Sequence, residues 1–111
     1  MTTYTADQIT RIGGQEWRRG DQHRIYINPD VWKALIGLNT THYKTGNINS
    51  ATLDGEPISH SRAYDIVSCI DSVYLDVATG ELRIMIRRNR YSDQVPGWIR
   101  AAIADQVFGQ E

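Results

Sequence analysis

The sequence predicts an α+β fold of antiparallel β-hairpins with three helices, in the order ββα-ββα-ββα. Two observations carry this prediction. Two short β-type segments followed by a helix start signal recur three times, at a spacing of about 35 residues. In the third repeat, apolar and polar residues alternate over 73–77 and again over 82–87, and a period of two is typical of strands. The three units together span the sequence, so 1–111 is predicted to be a single domain.

In the first unit, residues 9–12 form a short apolar segment that leads to a Gly13-Gly14 turn. After a polar run, residues 24–27 are predicted to form a strand. Asn28 then resembles a helix N-cap with Pro29 at the first helical position. The apolar stripe predicted for this helix is Val31, Leu35 and Leu38.

The second unit has strands predicted over 48–53 and 56–59, joined by an Asp54-Gly55 turn. Pro57 lacks a backbone N–H, which indicates an edge strand. Ser59 or Ser61 can cap the following helix, which we expect to end near Asp71-Ser72. Its predicted apolar stripe is Ala63, Ile66, Val67 and Ile70.

The third hairpin is predicted to turn at Thr79-Gly80. This two-residue turn would place Val77 opposite Leu82, Leu75 opposite Ile84 and Val73 opposite Ile86, with Asp76 opposite Arg83 on the other face. We expect four of these residues to be buried: Val73, Leu75, Ile84 and Ile86. The last helix should start near Pro96 and bury Ile99, Ala102, Ile103 and Val107. If all the helices lie on one face, the opposite face, including Tyr74, Met85 and Arg87, is open for binding.

Residues 1–7 are polar, and we expect them to form a flexible N-terminus. They lack the basic and apolar regions of a secretory signal, and no apolar run approaches the roughly 20 residues that a membrane span needs. Cys69 is the only cysteine, which agrees with a reducing compartment. The sequence therefore predicts a cytoplasmic protein that does not enter the membrane. Cys69 borders the apolar stripe of the second helix and is expected to be a buried, inert thiol.

Arginine is the most informative residue type for function. The net charge is −1, yet arginines outnumber lysines ten to two and cluster beside aromatic residues. The planar guanidinium group of arginine forms paired hydrogen bonds to phosphates and stacks on aromatic rings, a combination suited to an anionic partner. The alternative is that these arginines are solvated or neutralised by acidic neighbours such as Asp65, Asp71 and Asp76. The predicted site for nucleic acid or another partner consists of Trp17, Arg18, Arg19, Arg24, Tyr26, Arg87, Arg88, Arg90 and Tyr91.

Catalytic signatures are absent from the sequence. It contains no GxSxG elbow, no phosphate-binding glycine motif and no HExxH, and His23, His42 and His60 lie in separate turns or loops. A ββα unit that carries a histidine invites comparison with ββα-metal nucleases. However, the chain lacks the converging set of ligands that such a site requires. We therefore predict no catalytic residues, no metal and no cofactor.

Several short strings of the sequence support a resemblance: 13–17 (GGQEW), 23–28 (HRIYIN), 43–48 (YKTGNI), 53–56 (LDGE) and 58–59 (IS). Over roughly residues 9–77 the chain resembles a group of short uncharacterised proteins from plasmids, phages and conjugative elements of Gram-positive bacteria. The group carries no catalytic residues that can be transferred to this chain. The resemblance implies an accessory protein of a mobile element, a class that includes repressors, replication helpers and anti-CRISPR inhibitors of host defence.

Three hypotheses follow. The first is a non-enzymatic binding module whose arginine and aromatic face engages a nucleic acid or nucleoprotein. The second is a protein-binding inhibitor of a host protein, or a homodimer, that uses a sheet edge or the Trp17 region. The third is a small metal-dependent hydrolase.

Overall fold

The computed structural model describes residues 2–109 and contains two antiparallel sheets and four helices. The α+β class is confirmed. The predicted repeat of three ββα units with three helices is wrong, because a helix precedes the first hairpin and the middle unit has three strands. The elements are α1 (Ala6–Arg11), β1 (Gly14–Arg19), β2 (Gln22–Ile27), α2 (Pro29–Leu35), β3 (Leu38–His42), β4 (Ile48–Leu53), β5 (Glu56–Ile58), α3 (His60–Cys69), β6 (Ile70–Asp76), β7 (Glu81–Ile86) and α4 (Val95–Phe108).

The extra helix, α1, occupies the segment that had been assigned to the first β-type run. Thr5 and Gln8 form a reciprocal capping box that satisfies free N–H groups at the helix start. Ile9 and Ile12, three residues apart, then lie on one side of a helical turn. Within the segment predicted to be a flexible terminus, Tyr4 is buried, and its N–H donates to the carbonyl of Gly80 at 2.8 Å. Met1 lies outside the described residues.

Helix starts were predicted more accurately than helix ends. Pro29 opens α2 after Asn28, although the Asn28 side chain makes no capping bond. Ser59 caps α3 by accepting from the N–H of Arg62 at 3.1 Å. By contrast, α3 was predicted to end near Asp71-Ser72, but it ends at Cys69 and β6 begins directly at Ile70. Similarly, Leu38 belongs to β3 rather than to the stripe of α2.

The β6–β7 hairpin keeps the predicted faces but has a different register. Its turn spans residues 77–80, where the Asp76 carboxylate accepts from the N–H of Ala78 at 3.2 Å. Val73 therefore pairs with Ile84 and Leu75 with Leu82, a shift of two residues. An even shift preserves which side chains face the core.

Ile86 ends β7 opposite Ile70, beyond an irregularity in the pairing between Ile70 and Ser72, and it is not buried. Val73 and Leu75 are buried as predicted and Ile84 is half-buried, but Ile86 is 47% exposed. The predicted pair between Asp76 and Arg83 does not form. Arg83 pairs instead with Glu81 at 2.9 Å, and Asp76 lies opposite Arg24 of the neighbouring strand.

The four-stranded sheet has the strand order β1-β2-β6-β7, and the three-stranded sheet has the order β3-β4-β5, which places Pro57 on an edge strand as predicted. One face of the four-stranded sheet supplies Ile25, Ile27, Val73, Leu75 and Leu82 to the main core. Buried residues from all four helices complete that core: Ile9, Trp32, Ile66, Cys69, Val95, Ile99 and Ile103. Among the described residues, none of the helices is both long and apolar enough to cross a membrane.

Candidate functional site

The face of the four-stranded sheet that points away from the helices carries a group of aromatic residues around one arginine. Trp17 of β1 lies opposite Arg24 of β2, and Tyr26 of β2 lies opposite Tyr74 of β6. Side chains alternate between the faces of a sheet, so these four share the face opposite Ile25 and Leu75. We call them the open-face cluster. Each of the four is partly exposed.

Arg24 is the centre of this cluster. Its guanidinium carbon lies 4.5 Å from the ring centroid of Tyr74 and 5.3 Å from that of Trp17, so the cation contacts two π faces. Its Nη1 also donates to the hydroxyl of Tyr26 at 2.9 Å. This hydrogen bond is the main reason that the pKa of Arg24 is raised.

The aromatic rings also contact one another. Tyr26 meets Trp17 edge-on, with centroids 6.0 Å apart and planes at 82°. On its other side, the Tyr26 and Tyr74 centroids are 5.1 Å apart at 38°. Pairs with these geometries attract each other beyond the effect of buried area. The cluster is therefore fixed in place by its own contacts and forms a continuous aromatic strip across β1, β2 and β6.

Charges of both signs flank the strip. Arg19 lies on the same face at the far end of β1, and Arg83 lies opposite Tyr74 on β7. Two carboxylates lie on this face as well: Asp76 opposite Arg24, and Glu81, which pairs with Arg83. The face is thus aromatic at its centre and only mildly basic at its margins.

Arg18 was predicted to belong to the site, but the structure places it elsewhere. It lies opposite His23, on the other side of β1 from Trp17. Its side chain bonds Glu16, and this hydrogen bond is the main cause of the lowered pKa of Glu16. Arg18 therefore does not share a face with Arg24.

The second predicted group, Arg87 to Tyr91, lies in the segment that joins β7 to α4 (residues 87–94), which we call the β7–α4 segment. Arg87 pairs with Asp71 at 2.7 Å, and Arg90 Nε lies 3.3 Å from an oxygen of Asp65. Tyr91 packs against the core rather than standing free. Arg88 is exposed. Two of the three arginines are therefore matched by carboxylates of the same chain.

Asn89 holds the β7–α4 segment in one conformation. Its side-chain Nδ2 donates to the backbone carbonyl of Asp65 at 2.7 Å, and its side-chain Oδ1 accepts from the N–H of Tyr91 at 2.8 Å. Its own N–H donates to the hydroxyl of Ser92 at 2.6 Å. These bonds fix the segment onto α3 and explain why Tyr91 faces inward.

The histidine, cysteine and acidic residues within 2–109 do not form a metal-binding site. No three His, Cys, Asp or Glu side chains in that range lie close enough to hold a metal ion. Cys69 is buried, as predicted. Burial raises the pKa of its thiol, and a hydrogen bond from Ser92 opposes this only in part.

Tyr74 is the member of the open-face cluster that the predicted site omitted. Its alternation with Val73 and Leu75 had indicated that it lies on the outer face. What the sequence could not show is that β6 lies beside β2, which brings Tyr74 against Arg24.

Comparisons with protein-family models, with curated proteins and with solved structures found no match to this chain. The resemblance to proteins of mobile elements therefore stays a prediction.

Proposed function

We propose that this protein is a non-enzymatic binding module that takes a single-stranded segment of nucleic acid on the open-face cluster. The observation that carries the proposal is the stacking of Arg24 against Tyr74 and Trp17 on a sheet face turned away from the helix-lined core. Aromatic side chains and guanidinium planes are the surfaces on which unpaired bases stack.

The alignment of the cluster favours an extended ligand. Trp17, Tyr26 and Tyr74 lie on three adjacent strands, with ring centroids 6.0 and 5.1 Å apart. Neighbouring strands are separated by about 4.8 Å, so a chain of bases that crosses the strands would meet one aromatic residue at each step. Because every base has a π face, we expect little sequence preference.

Phosphate contacts should contribute less than stacking. On this face Arg83 is already paired with Glu81, which leaves Arg19 and Arg24 as the cations that can meet the backbone. Two phosphate contacts with a single strand predict a slope of about −1.4 for log affinity against log salt concentration. A protein that bound through a broad basic groove would show a much steeper slope.

The test is fluorescence anisotropy with labelled single-stranded DNA and RNA, using Tyr74→Ala as the main variant. Each stacked base contributes about 1–3 kcal/mol, so we expect an affinity loss of roughly 5- to 150-fold. Tyr43→Ala is the matched control, because Tyr43 is also an exposed tyrosine but lies in the β3–β4 connection. Absence of binding by the native chain, or equal losses in the two variants, would refute the proposal.

A further inference from the structure

A cavity of about 400 Å³ lies between the end of α2, the β4–β5 turn and one side of α4, and none of its lining residues belongs to the open-face cluster. Trp98, Ala101 and Asp105 follow one another at intervals of three and four residues, so they share one side of α4. Leu35 and Leu53 form walls of the cavity opposite this helix. The volume is within the range of pockets that hold small molecules, about 300–1,000 Å³.

Two carboxylates, those of Asp54 and Asp105, line this cavity, and its other lining residues are apolar. Within residues 2–109 neither carboxylate forms an ion pair, and no cationic side chain is among the lining residues. The cavity therefore combines an apolar surface with two negative charges that the described part of the chain leaves without a cation.

The backbone holds Asp54 in a defined position. Asp54 has a left-handed conformation, with a φ of 52°, and its N–H donates to the carbonyl of Gly37 at 3.0 Å. A Cβ atom at residue 37 would overlap Oδ1 of Asp54, so the carboxylate occupies space that exists only because residue 37 is glycine. The first charge of the cavity is thus fixed by its own turn.

Asp105 lies in the last turn of α4, where the helix carries a partial negative charge. No basic side chain lies in that turn. The short helix α2 also ends at the cavity, with Leu35, and its Lys33 is not among the lining residues. The carboxylates and the helix ends act in the same direction, and the resulting negative potential favours a cation.

We propose that this cavity binds a small aliphatic diamine. Its methylene groups pack on the apolar walls, and its two ammonium groups balance the charges of Asp54 and Asp105. An ammonium group is also attracted to the face of a tryptophan ring, and Trp98 lines the cavity. A bare metal ion fits less well. Calcium and magnesium take about six oxygen ligands, and within residues 2–109 no third acidic, histidine or cysteine side chain joins these two.

The inference does not depend on nucleic-acid binding, since the cavity and the open-face cluster share no residue. The test is isothermal titration calorimetry of the native chain with diaminobutane, up to millimolar concentration and without nucleic acid. Aminobutane and butanediol are the matched ligands, because they keep the carbon chain but carry one ammonium group and none. Affinity should fall in the order diaminobutane, aminobutane, butanediol. Absence of diaminobutane binding, or equal affinity for all three, would overturn the proposal.

The main variants are Asp54→Asn and Asp105→Asn, each of which removes one charge. Each should raise the dissociation constant of diaminobutane about tenfold, because a hydrogen bond to a charged group is lost. Both should fold, since asparagine tolerates the left-handed conformation and a carboxylate at the end of α4 is unfavourable for the helix. Asp93→Asn is the matched control, because Asp93 is exposed but does not line the cavity. An equal effect of Asp93→Asn would mean that the amine responds only to the overall charge, which would overturn the proposal.

Ala101→Leu tests the apolar part of the cavity. Ala101 is an exposed position of α4 that lines the cavity, so a leucine there narrows the cavity without entering the core. Diaminobutane affinity should fall severalfold, whereas Ala34→Leu, at an exposed position of α2 outside the cavity, should leave it unchanged. Native affinity in Ala101→Leu would show that the amine lies outside the cavity, contrary to the proposal. Binding of a short capped peptide with one lysine, without binding of diaminobutane, would identify a partner protein as the occupant and exclude the diamine.

Discussion

The open-face cluster and the β7–α4 segment have the same composition, arginine next to aromatic residues, but they differ in what the arginines contact. In the cluster, Arg24 contacts the rings of Trp17 and Tyr74. In the segment, Arg87 and Arg90 contact Asp71 and Asp65, and Tyr91 is turned into the core. One region keeps its aromatic surface partly exposed, while the other uses its charges and its ring to hold the chain in place.

The difference shows that arginine–aromatic clustering in a sequence does not by itself identify a binding surface. Whether such arginines are available to an anionic ligand depends on whether carboxylates from other elements pair with them. Asp65 lies on α3 and Asp71 on β6, more than a dozen residues before Arg87. An exposed ion pair contributes only about 0–1 kcal/mol to stability, yet it reduces the positive charge available to an anionic ligand.

Among substitutions in these two regions, Asn89→Ala should lower the stability of the protein most. The substitution removes two side-chain hydrogen bonds of a partly buried residue, and one of them ties the β7–α4 segment to α3. We expect the free energy of unfolding, measured with urea, to fall by about 1–3 kcal/mol. Affinity for single-stranded nucleic acid should stay unchanged.

Arg88→Ala is the control for that measurement. Arg88 neighbours Asn89 and is exposed, so its loss should change the free energy of unfolding by less than about 0.5 kcal/mol. Equal losses in the two variants would show that Asn89 does not organise the segment.

A smaller effect is expected when Arg87, Arg88 and Arg90 are all replaced by alanine. Two exposed ion pairs are lost, each of which contributes about 0–1 kcal/mol. The free energy of unfolding should therefore fall by less than about 2 kcal/mol. Affinity for single strands and its salt dependence should match those of the native chain. A joint fall in affinity and in its salt dependence would contradict the distinction between the two regions, because it would place the β7–α4 segment in the interface.

The smallest effect on the free energy of unfolding is expected from ionisation of Cys69, which lies beneath the β7–α4 segment. Burial raises the pKa of its thiol, so the neutral form is favoured in the folded chain. This contribution to stability is fully present below the unfolded pKa of about 8.5 and is lost as pH rises through the folded pKa. Urea unfolding at a series of alkaline pH values should show this loss in the native chain but not in Cys69→Ala.

Thiol labelling gives a second measure of Cys69. A thiol reagent should react slowly with the native chain and rapidly in urea. Rapid reaction without denaturant would mean that the segment opens, contrary to the fixed conformation that Asn89 imposes.

Local sequence signals predicted much of the fold. The period-two pattern over 73–77 identified the buried pair Val73 and Leu75, and Pro29, Ser59 and Pro96 marked three helix starts within a residue or two. The additional helix α1 was missed, although two isoleucines three residues apart share one side of a helical turn and would lie on opposite faces of a strand. The capping residues Thr5 and Gln8 held the deciding signal.

The candidate site was predicted only in part. Trp17, Arg24 and Tyr26 lie together, because one hairpin carries all three and its register follows from the chain itself. Arg18 was assigned to the same site, but strand alternation turns it to the opposite face.

Strand preference, most helix starts and the apolar side of each strand can be predicted from the sequence, since these properties depend on neighbours within a few positions. Only the folded chain shows that β6 lies beside β2, which brings Tyr74 to Arg24, and that α3 lies beside the β7–α4 segment, which brings Asp65 to Arg90. Both contacts join residues far apart in the chain. Such contacts depend on how the core closes, because the order of strands follows from the packing of all the apolar faces together.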